Sequence, residues 1–399
     1  MRGTTQSKVN VSLPLESQSI AQNVADVADL AHRQLSPQVW DFIAGAAGDE
    51  RTLAANRAAL DAVRVVPRVL RDVSACDTST KLFGQAISAP IAIAPVAYHR
   101  LVHPHGELAT ARAARASGVP LAISTLSSHT IEAIAAEGAP SWFQLYWLRD
   151  DRTRDELVSR AEAAGCDALV VTVDVPWMGR RLRDVRNAFT VPSDVVAANL
   201  PDTDQSGAVR PSARSGSGSG SGSGSAVAAH TADLVSPALT WADIEALRAR
   251  TRLPLVLKGI LSPDDARRAV DCGVEGVVVS NHGGRQLDGV VGSAECLAAV
   301  RAAVGQQCTV LFDSGVRSGV DVLKALVLGA DAVLVGRPAI WGLAAGGEAG
   351  VHHTLELLKH ELRDALGLAG CAQVAEAREL QTLPPTVRAA TPRGKDRDG

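Results

Sequence analysis

Aromatic side chains make up only 3% of this 399-residue chain, so where they stand is informative. Four of the thirteen fall in SWFQLYW (141–147), and the only two tyrosines, Tyr98 and Tyr146, end apolar runs. Long apolar stretches are missing: none approaches the roughly 18 residues that span a bilayer, and no basic-then-apolar leader opens the chain. A cytoplasmic protein without a membrane partner is expected. An excess of charge is missing too. With a net charge of −3 and a pI near 6.4, nothing in the balance suggests a nucleic-acid partner. The six cysteines are scattered and form no C-x-x-C pair, which argues against a disulfide frame or a zinc site; no metal is expected. What the chain does have is 46% apolar residues, enough for a sizeable core.

From residue 86 a pattern repeats. Short apolar runs alternate with Ala-rich helical stretches that end in Gly or Pro. The runs are SAPIAIAP (88–95), PLAIST (120–125), SWFQLYW (141–147), DALVVTVD (167–174), LPLVLKG (253–259), GVVVSN (276–281), CTVLFDSG (308–315) and DAVLVGRP (331–338). The helical partners include 106–118, 150–165, 262–273 and 318–330, several with Ser or Asp caps and C-terminal glycines. Continuous apolar strands between helices predict a parallel sheet covered on both faces. Eight such units over about 270 residues predict an α/β fold, a closed (β/α)8 TIM barrel. Residues 1–24 read as a tail and 25–384 as the barrel domain. The helical pattern LAHRQLSPQVWDFIAGAA (30–47) would cap the barrel floor or mouth. After the fourth strand comes an over-long connection. Its Gly/Ser run (214–226) predicts a flexible insertion over about 195–235, either native low complexity or a replacement of a longer segment. Residues 385–399 read as a disordered tail.

In such a barrel, chemistry sits at the C-terminal strand ends. Those ends carry Tyr98, Ser124, Gln144 with Tyr146, Thr172 with Asp174, Lys258, Ser280 with His282 and Arg285, Asp313, and Gly336 with Arg337. A lone His after a strand is ordinarily a packed or surface residue. His282, three residues before Arg285 on a Gly-Gly turn, reads as ligand-facing instead, because glycines let the backbone approach a ligand closely. Asp174 could cap a helix, but the PWMGRRLR that follows is no helix start. Arg180, Arg181 and Arg183 are either a solvated run or partly substrate-facing. DSGVRSG (313–319) and GRP (336–338) place glycines, backbone N–H groups and arginines after strands seven and eight, where this barrel type often binds phosphate.

SNHGGRQLDG (280–289), TVDVPWMGRR, LVLKG, DSGVRSG and LVGRP, in this chain, together resemble the FMN-dependent 2-hydroxy-acid oxidases and dehydrogenases of glycolate, lactate and mandelate type, from about residue 25 to about 375. WDFIAGAAGDE (40–50), APVAYHRLVHPHGE (94–107) and WFQLYWLRD (142–150) look most like the 4-hydroxymandelate oxidases, which belong to routes making aryl-glycine units of peptide antibiotics. The resemblance implies FMN as cofactor and a 2-hydroxy acid as substrate. It implies His282 as base, Asp174 as its partner, and Arg285 with Arg181 as a carboxylate clamp. Tyr146 would bond the substrate hydroxyl, and Lys258 would offset charge on the reduced flavin. Pro95, Val96, Ala97, Ser124, Gln144, Thr172 and Ser280 would hold the isoalloxazine. Asp313 would bind the ribityl hydroxyls, with Gly315, Arg317, Gly336 and Arg337 around the phosphate. A homotetramer is implied on the same ground. The chemistry fits: oxidation of a 2-hydroxy acid removes two electrons and two protons, and no side chain stores two electrons.

Three positions depart from the wider family pattern. Phe42 stands where many members have Tyr, and Leu126 where the glycolate enzymes have Trp; both favour an aryl side chain in the substrate pocket. Ser314 replaces a usual Gly, either adding a hydroxyl to the cofactor site or straining the turn if positive φ is needed there. Oxygen as electron acceptor is expected, with a quinone or protein acceptor as the alternative. Proton or hydride departure of the α-hydrogen stays open. Diphosphate isomerases on FMN barrels lack the His282–Arg285 pair, and a non-enzymatic barrel should have lost the ionisable strand ends.

Overall fold

Strands that are apolar on both faces must be covered on both, and here they close on themselves. The structure, a computed structural model, describes residues 21–201 and 231–383. The Gly/Ser run, the C-terminal tail and residues 1–20 lie outside the described residues. Two short pairs flank the barrel. The strand β1 (Arg64–Val66) pairs antiparallel with β12 (Gln381–Leu383), and β2 (Thr80–Leu82) with β3 (Gln85–Ile87). The barrel strands are β4 (Ile91–Ile93), β5 (Leu121–Ser124), β6 (Ser141–Tyr146), β7 (Ala168–Thr172), β8 (Leu255–Ile260), β9 (Gly276–Val279), β10 (Thr309–Phe312) and β11 (Ala332–Val335). Each is parallel to its neighbours and β11 returns to β4, so all eight expected units are present and no barrel edge remains. Of the expected caps, Asp150, Ser262 and Ser318 accept first-turn backbone N–H groups.

Strand parity explains where the polar groups go. Side chains alternate across a strand. Ala122, Trp142, Val170, Val256, Val278, Leu311 and Leu334 face inward and fill the barrel. Their odd-even partners Ile123, Phe143, Val171, Leu257, Val279 and Phe312 face the helices. Two residues beyond each inward side chain stand Ser124, Gln144, Thr172, Lys258, Ser280, Asp313 and Gly336, the last inward rung. The floor is shut by the β2–β3 hairpin, where Leu82 and Ile87 join the interior cluster and Phe83 meets Trp142 edge-on at 5.4 Å.

The N-terminal segment caps the mouth, not the floor. The pattern at 30–47 is two helices, Val24–Gln34 and Pro37–Ala44, because Pro37 cannot continue the first and Ser36 caps the second. A third helix, Arg51–Ala62, follows. The boundary expected at residue 24 falls too late: Ala21 is buried and bonds His353, and Asn23 caps the first helix. The long connection is anchored at both ends. Val195, Ala197 and Leu200 are buried, and Leu148 bridges to Val235.

Candidate active site

The mouth of the barrel holds a cavity of about 1150 Å³, counting the open solvent at its entrance. That is room for a nucleotide-sized cofactor and a small acid together. Phe42, Pro95, Val96, Ala97, Gln144, Tyr146, Thr172, Arg181, Lys258, His282, Arg285, Asp313, Ser314, Gly315, Arg317, Gly336 and Arg337 line it. Three of the anticipated residues, Ser124, Asp174 and Ser280, stand one layer behind. Ser124 donates to Gln144 Oε1 (3.2 Å), whose Nε2 donates to Thr172 (3.0 Å). Ser280 Oγ accepts from Lys258 Nζ and from the His282 backbone N–H, both at 3.0 Å.

His282 sits on a turn that needs its glycines. His282, Gly283 and Gly284 all have positive φ (59°, 65° and 75°), a run that side chains other than hydrogen resist. This strained turn aims the imidazole at the cavity while Nδ1 meets Asp174 Oδ1 at 3.0 Å. Burial pushes the His282 pKa below its ordinary value, with Lys258 helping and Asp174 opposing. The imidazole is therefore neutral at pH 7 and accepts a proton at Nε2. Burial alone would raise the Asp174 carboxyl, but His282 and Lys258 outweigh it and keep the group ionised. The other polar residues of the motif are braces. Asn281 exchanges hydrogen bonds with Asn56, Gln286 donates to the carbonyls of Asp174 and Trp177, and Asp288 accepts from the Thr52 and Asp49 backbone N–H groups.

Arginines line the same cavity. Of the three after β7, Arg181 faces the cavity, while Arg183 is engaged with Asp41 (3.2 Å) and Glu50 (2.5 Å). Arg285 donates to the carbonyls of Phe42 and Gly45, both at 2.8 Å. Burial, then the neighbouring charges of Arg181 and Arg337, pull the Arg285 pKa well down. The two guanidiniums flank the Phe42 ring at 5.9 and 5.4 Å from its centre. Arg181 is 3.8 Å from the Asp184 carboxylate, whereas Arg285 has no carboxylate partner among the described residues, so an anion bound beside both would meet an unpaired guanidinium at Arg285. Phe42 stacks on Phe189 at 4.6 Å, and Leu126 and Met178 continue the apolar wall.

The second half of the cavity fits a flavin mononucleotide. Arg317 and Arg337 are partly buried, and among the described residues neither forms an ion pair with a carboxylate. Burial and the charge of Arg337 lower Arg317 to about 9; burial and Arg181 lower Arg337 to about 10. A phosphate would relieve both. The N-terminus of helix Arg337–Leu368 and the Gly315 turn (φ 105°) add backbone N–H groups there. Lys258, 5% exposed, pairs with Asp313 at 3.0 Å; burial works against its charge, but Asp313 and Asp174 raise it above the ordinary value. Asp313, anticipated on the ribityl hydroxyls, also accepts from Ser314 Oγ at 2.7 Å. Of the two alternatives for Ser314, the strained turn is present, with φ 79°; its hydroxyl accepts the Gly283 N–H at 2.9 Å and so braces the turn beside His282. Met178, Val316 and Ile340 also line the cavity and carried no signal in the sequence beyond apolarity.

The chain matches the FMN-dependent dehydrogenase family over residues 31–382. It is 55% identical to a 4-hydroxymandelate oxidase of Amycolatopsis orientalis, over 90% of this chain and 98% of that protein. It is 46% identical to an L-lactate oxidase of a Nostoc species, over 89% and 96%. A crystal structure of mandelate oxidase with (S)-4-hydroxymandelic acid superposes with a TM-score of 0.87 at 55% identity, over 92% of this chain and all of that one. With the cradle and the closed barrel, these matches identify the chain as a member of the FMN-dependent dehydrogenase family, an oxidoreductase with FMN as its cofactor.

Proposed function

We propose that the protein oxidises an aryl (S)-2-hydroxy acid, 4-hydroxymandelate or mandelate, to the aryl-glyoxylate, with oxygen reduced to hydrogen peroxide. The observation that carries this reading is that His282, hydrogen-bonded to Asp174, and the guanidiniums of Arg181 and Arg285 meet at one cavity whose wall includes Phe42 and Leu126. Bound in the cradle, FMN supplies the two-electron acceptor that no side chain offers. Arg285 and Arg181 grip the substrate carboxylate in two-point fashion. Tyr146, kept neutral by burial, donates to the substrate hydroxyl. His282 Nε2 takes the proton released as the hydroxyl carbon is oxidised, and Asp174 holds Nδ1–H and offsets the imidazolium that forms. Lys258 keeps a positive charge on the last rung, beside the place for the flavin ring.

The relatives' names and the missing hydroxyl at Phe42 support the aryl substrate. Phe42 and Leu126 offer a ring contact area and no hydrogen bond. The product would then feed an amination that makes an aryl-glycine, as in peptide-antibiotic synthesis. Mandelate-type acids should exceed lactate in kcat/KM by roughly 10²-fold or more, because lactate leaves the apolar wall unfilled. A preference for lactate would sink the aryl pocket.

The direct test is to add (S)-4-hydroxymandelate to the yellow protein without oxygen. Bleaching of the flavin band is expected, with recovery on admitting air. Bleaching that air does not reverse would point to a quinone or protein acceptor. A yellow protein that keeps its colour would overturn the substrate assignment.

A further inference from the structure

Tyr98 is one of only two tyrosines, and no step above uses it. It lines the cavity, is 1% exposed, and among the described residues its hydroxyl has no hydrogen-bond partner. A buried phenol left unpaired is costly, and tyrosines that are buried ordinarily find a partner. The backbone is costly as well. Tyr98 has φ 57° and ψ 53°, a left-handed conformation that bulky residues rarely adopt. Its N–H bonds the carbonyl of Leu126 at 3.1 Å, which ties it to the aryl wall. Strain and an unpaired hydroxyl coincide at one residue of a ligand cavity, the kind of place where strain is retained for function.

The position relative to charge narrows the ligand group. Tyr146 feels Lys258, Asp174, Arg181 and Arg285. Tyr98 feels burial first and Tyr146 second, and both raise its pKa, so it stays a neutral donor. Its backbone bond to Leu126 places it beside the apolar wall of the cavity. A substrate whose carboxylate is gripped by Arg181 and Arg285 lays its ring against that wall.

Resting on the aryl 2-hydroxy-acid reading, we infer that the Tyr98 hydroxyl is the specificity-determining group for a hydroxyl on the substrate ring. The ring hydroxyl completes the phenol's hydrogen bond, and an analogue with a methyl in its place leaves the phenol unpaired. A site built around a buried polar group discriminates in this way more strongly than an apolar pocket discriminates by size.

The test compares kcat/KM for 4-hydroxymandelate, 4-methylmandelate and mandelate in the FMN-loaded enzyme and in Tyr98→Phe. The methyl compound matches the hydroxyl in size and cannot hydrogen-bond. The parent enzyme should favour 4-hydroxy over 4-methyl by about tenfold, and Tyr98→Phe should remove most of that ratio. The visible spectrum of the variant reports its FMN content and hence its fold. A ratio that survives in Tyr98→Phe, or an equal loss on all three acids, overturns the assignment and leaves the aryl reading intact. Turnover of lactate with none of the three aryl acids would bring down the reading itself, and this inference with it.

Discussion

At the scale of single residues, the site is a set of charges each held by a neighbour. His282 illustrates this most directly. His282→Ala should keep the yellow colour, because no cofactor-cradle group is lost, yet slow anaerobic bleaching by substrate about 10³-fold. Full activity in that variant would remove His282 as the base. The pH dependence follows from its pKa. Burial holds it below the ordinary 6.5, and in the proposed reaction the neutral form acts as the base. So kcat/KM should be level above that depressed value and fall as pH drops through it. Asp174 is the group that pulls the value back up. Asp174→Asn should therefore move the acid limb to lower pH while cutting the plateau roughly 10²-fold. An acid limb that moves upward would contradict the pairing.

Elements set the distances between these residues. A register shift between β8 and β9 at Lys258–Ile260 places a bulge beside the site, a common device for re-aiming a side chain. Gly259 within it has φ 113°, and a Cβ there would lie 2.6 Å from Cβ and Cγ of Asp174. Gly259→Ala should therefore displace the carboxylate from His282. A loss of roughly 10²-fold in kcat with FMN retained is expected from so small a misplacement. Normal turnover with a normal spectrum would show that the β8 bulge does not govern the pair. The helices Pro37–Ala44 and Arg51–Ala62 act at the same scale, since Phe42 and the Asp288 contacts bring the N-terminal segment onto the catalytic turn.

For the molecule as a whole, the cradle makes cofactor and fold interdependent. Arg317 and Arg337 are partly buried cations whose pKa values, lowered to about 9 and about 10, mark an unfavourable setting. Stripping FMN should lower Tm by roughly 3–4 °C, the size expected in a chain of this length for a ligand in about hundredfold excess over its Kd. Arg317→Met should shrink the gain on adding FMN back. An apo-protein that melts at the same temperature would show that the cradle is not held open at a cost. Among the described residues no helix is long and apolar enough to cross a membrane.

The eight strands and the ring of polar ends were legible in the sequence because both are local. A strand's apolar length and the two-residue alternation of its side chains lie within a handful of neighbouring residues, and they put Ser124, Gln144, Thr172, Lys258, Ser280 and Asp313 on one inward rung. The family motifs carried the cofactor for the same reason. Other features depend on which distant segment arrives beside which. Leu82, Phe83 and Ile87 closing the floor, Ala21 in the core, and Asn56 pairing with Asn281 join parts of the chain that no local pattern links. Ser314 could be read as a strained residue or a hydroxyl for the cofactor, and only the fold showed the positive φ and brought the Gly283 N–H to its Oγ. Tyr98 is the sharpest case. In the sequence it is a tyrosine after an apolar run; only the packed barrel buries its hydroxyl without a partner among the described residues, because pairing is decided by which distant groups the fold brings to it.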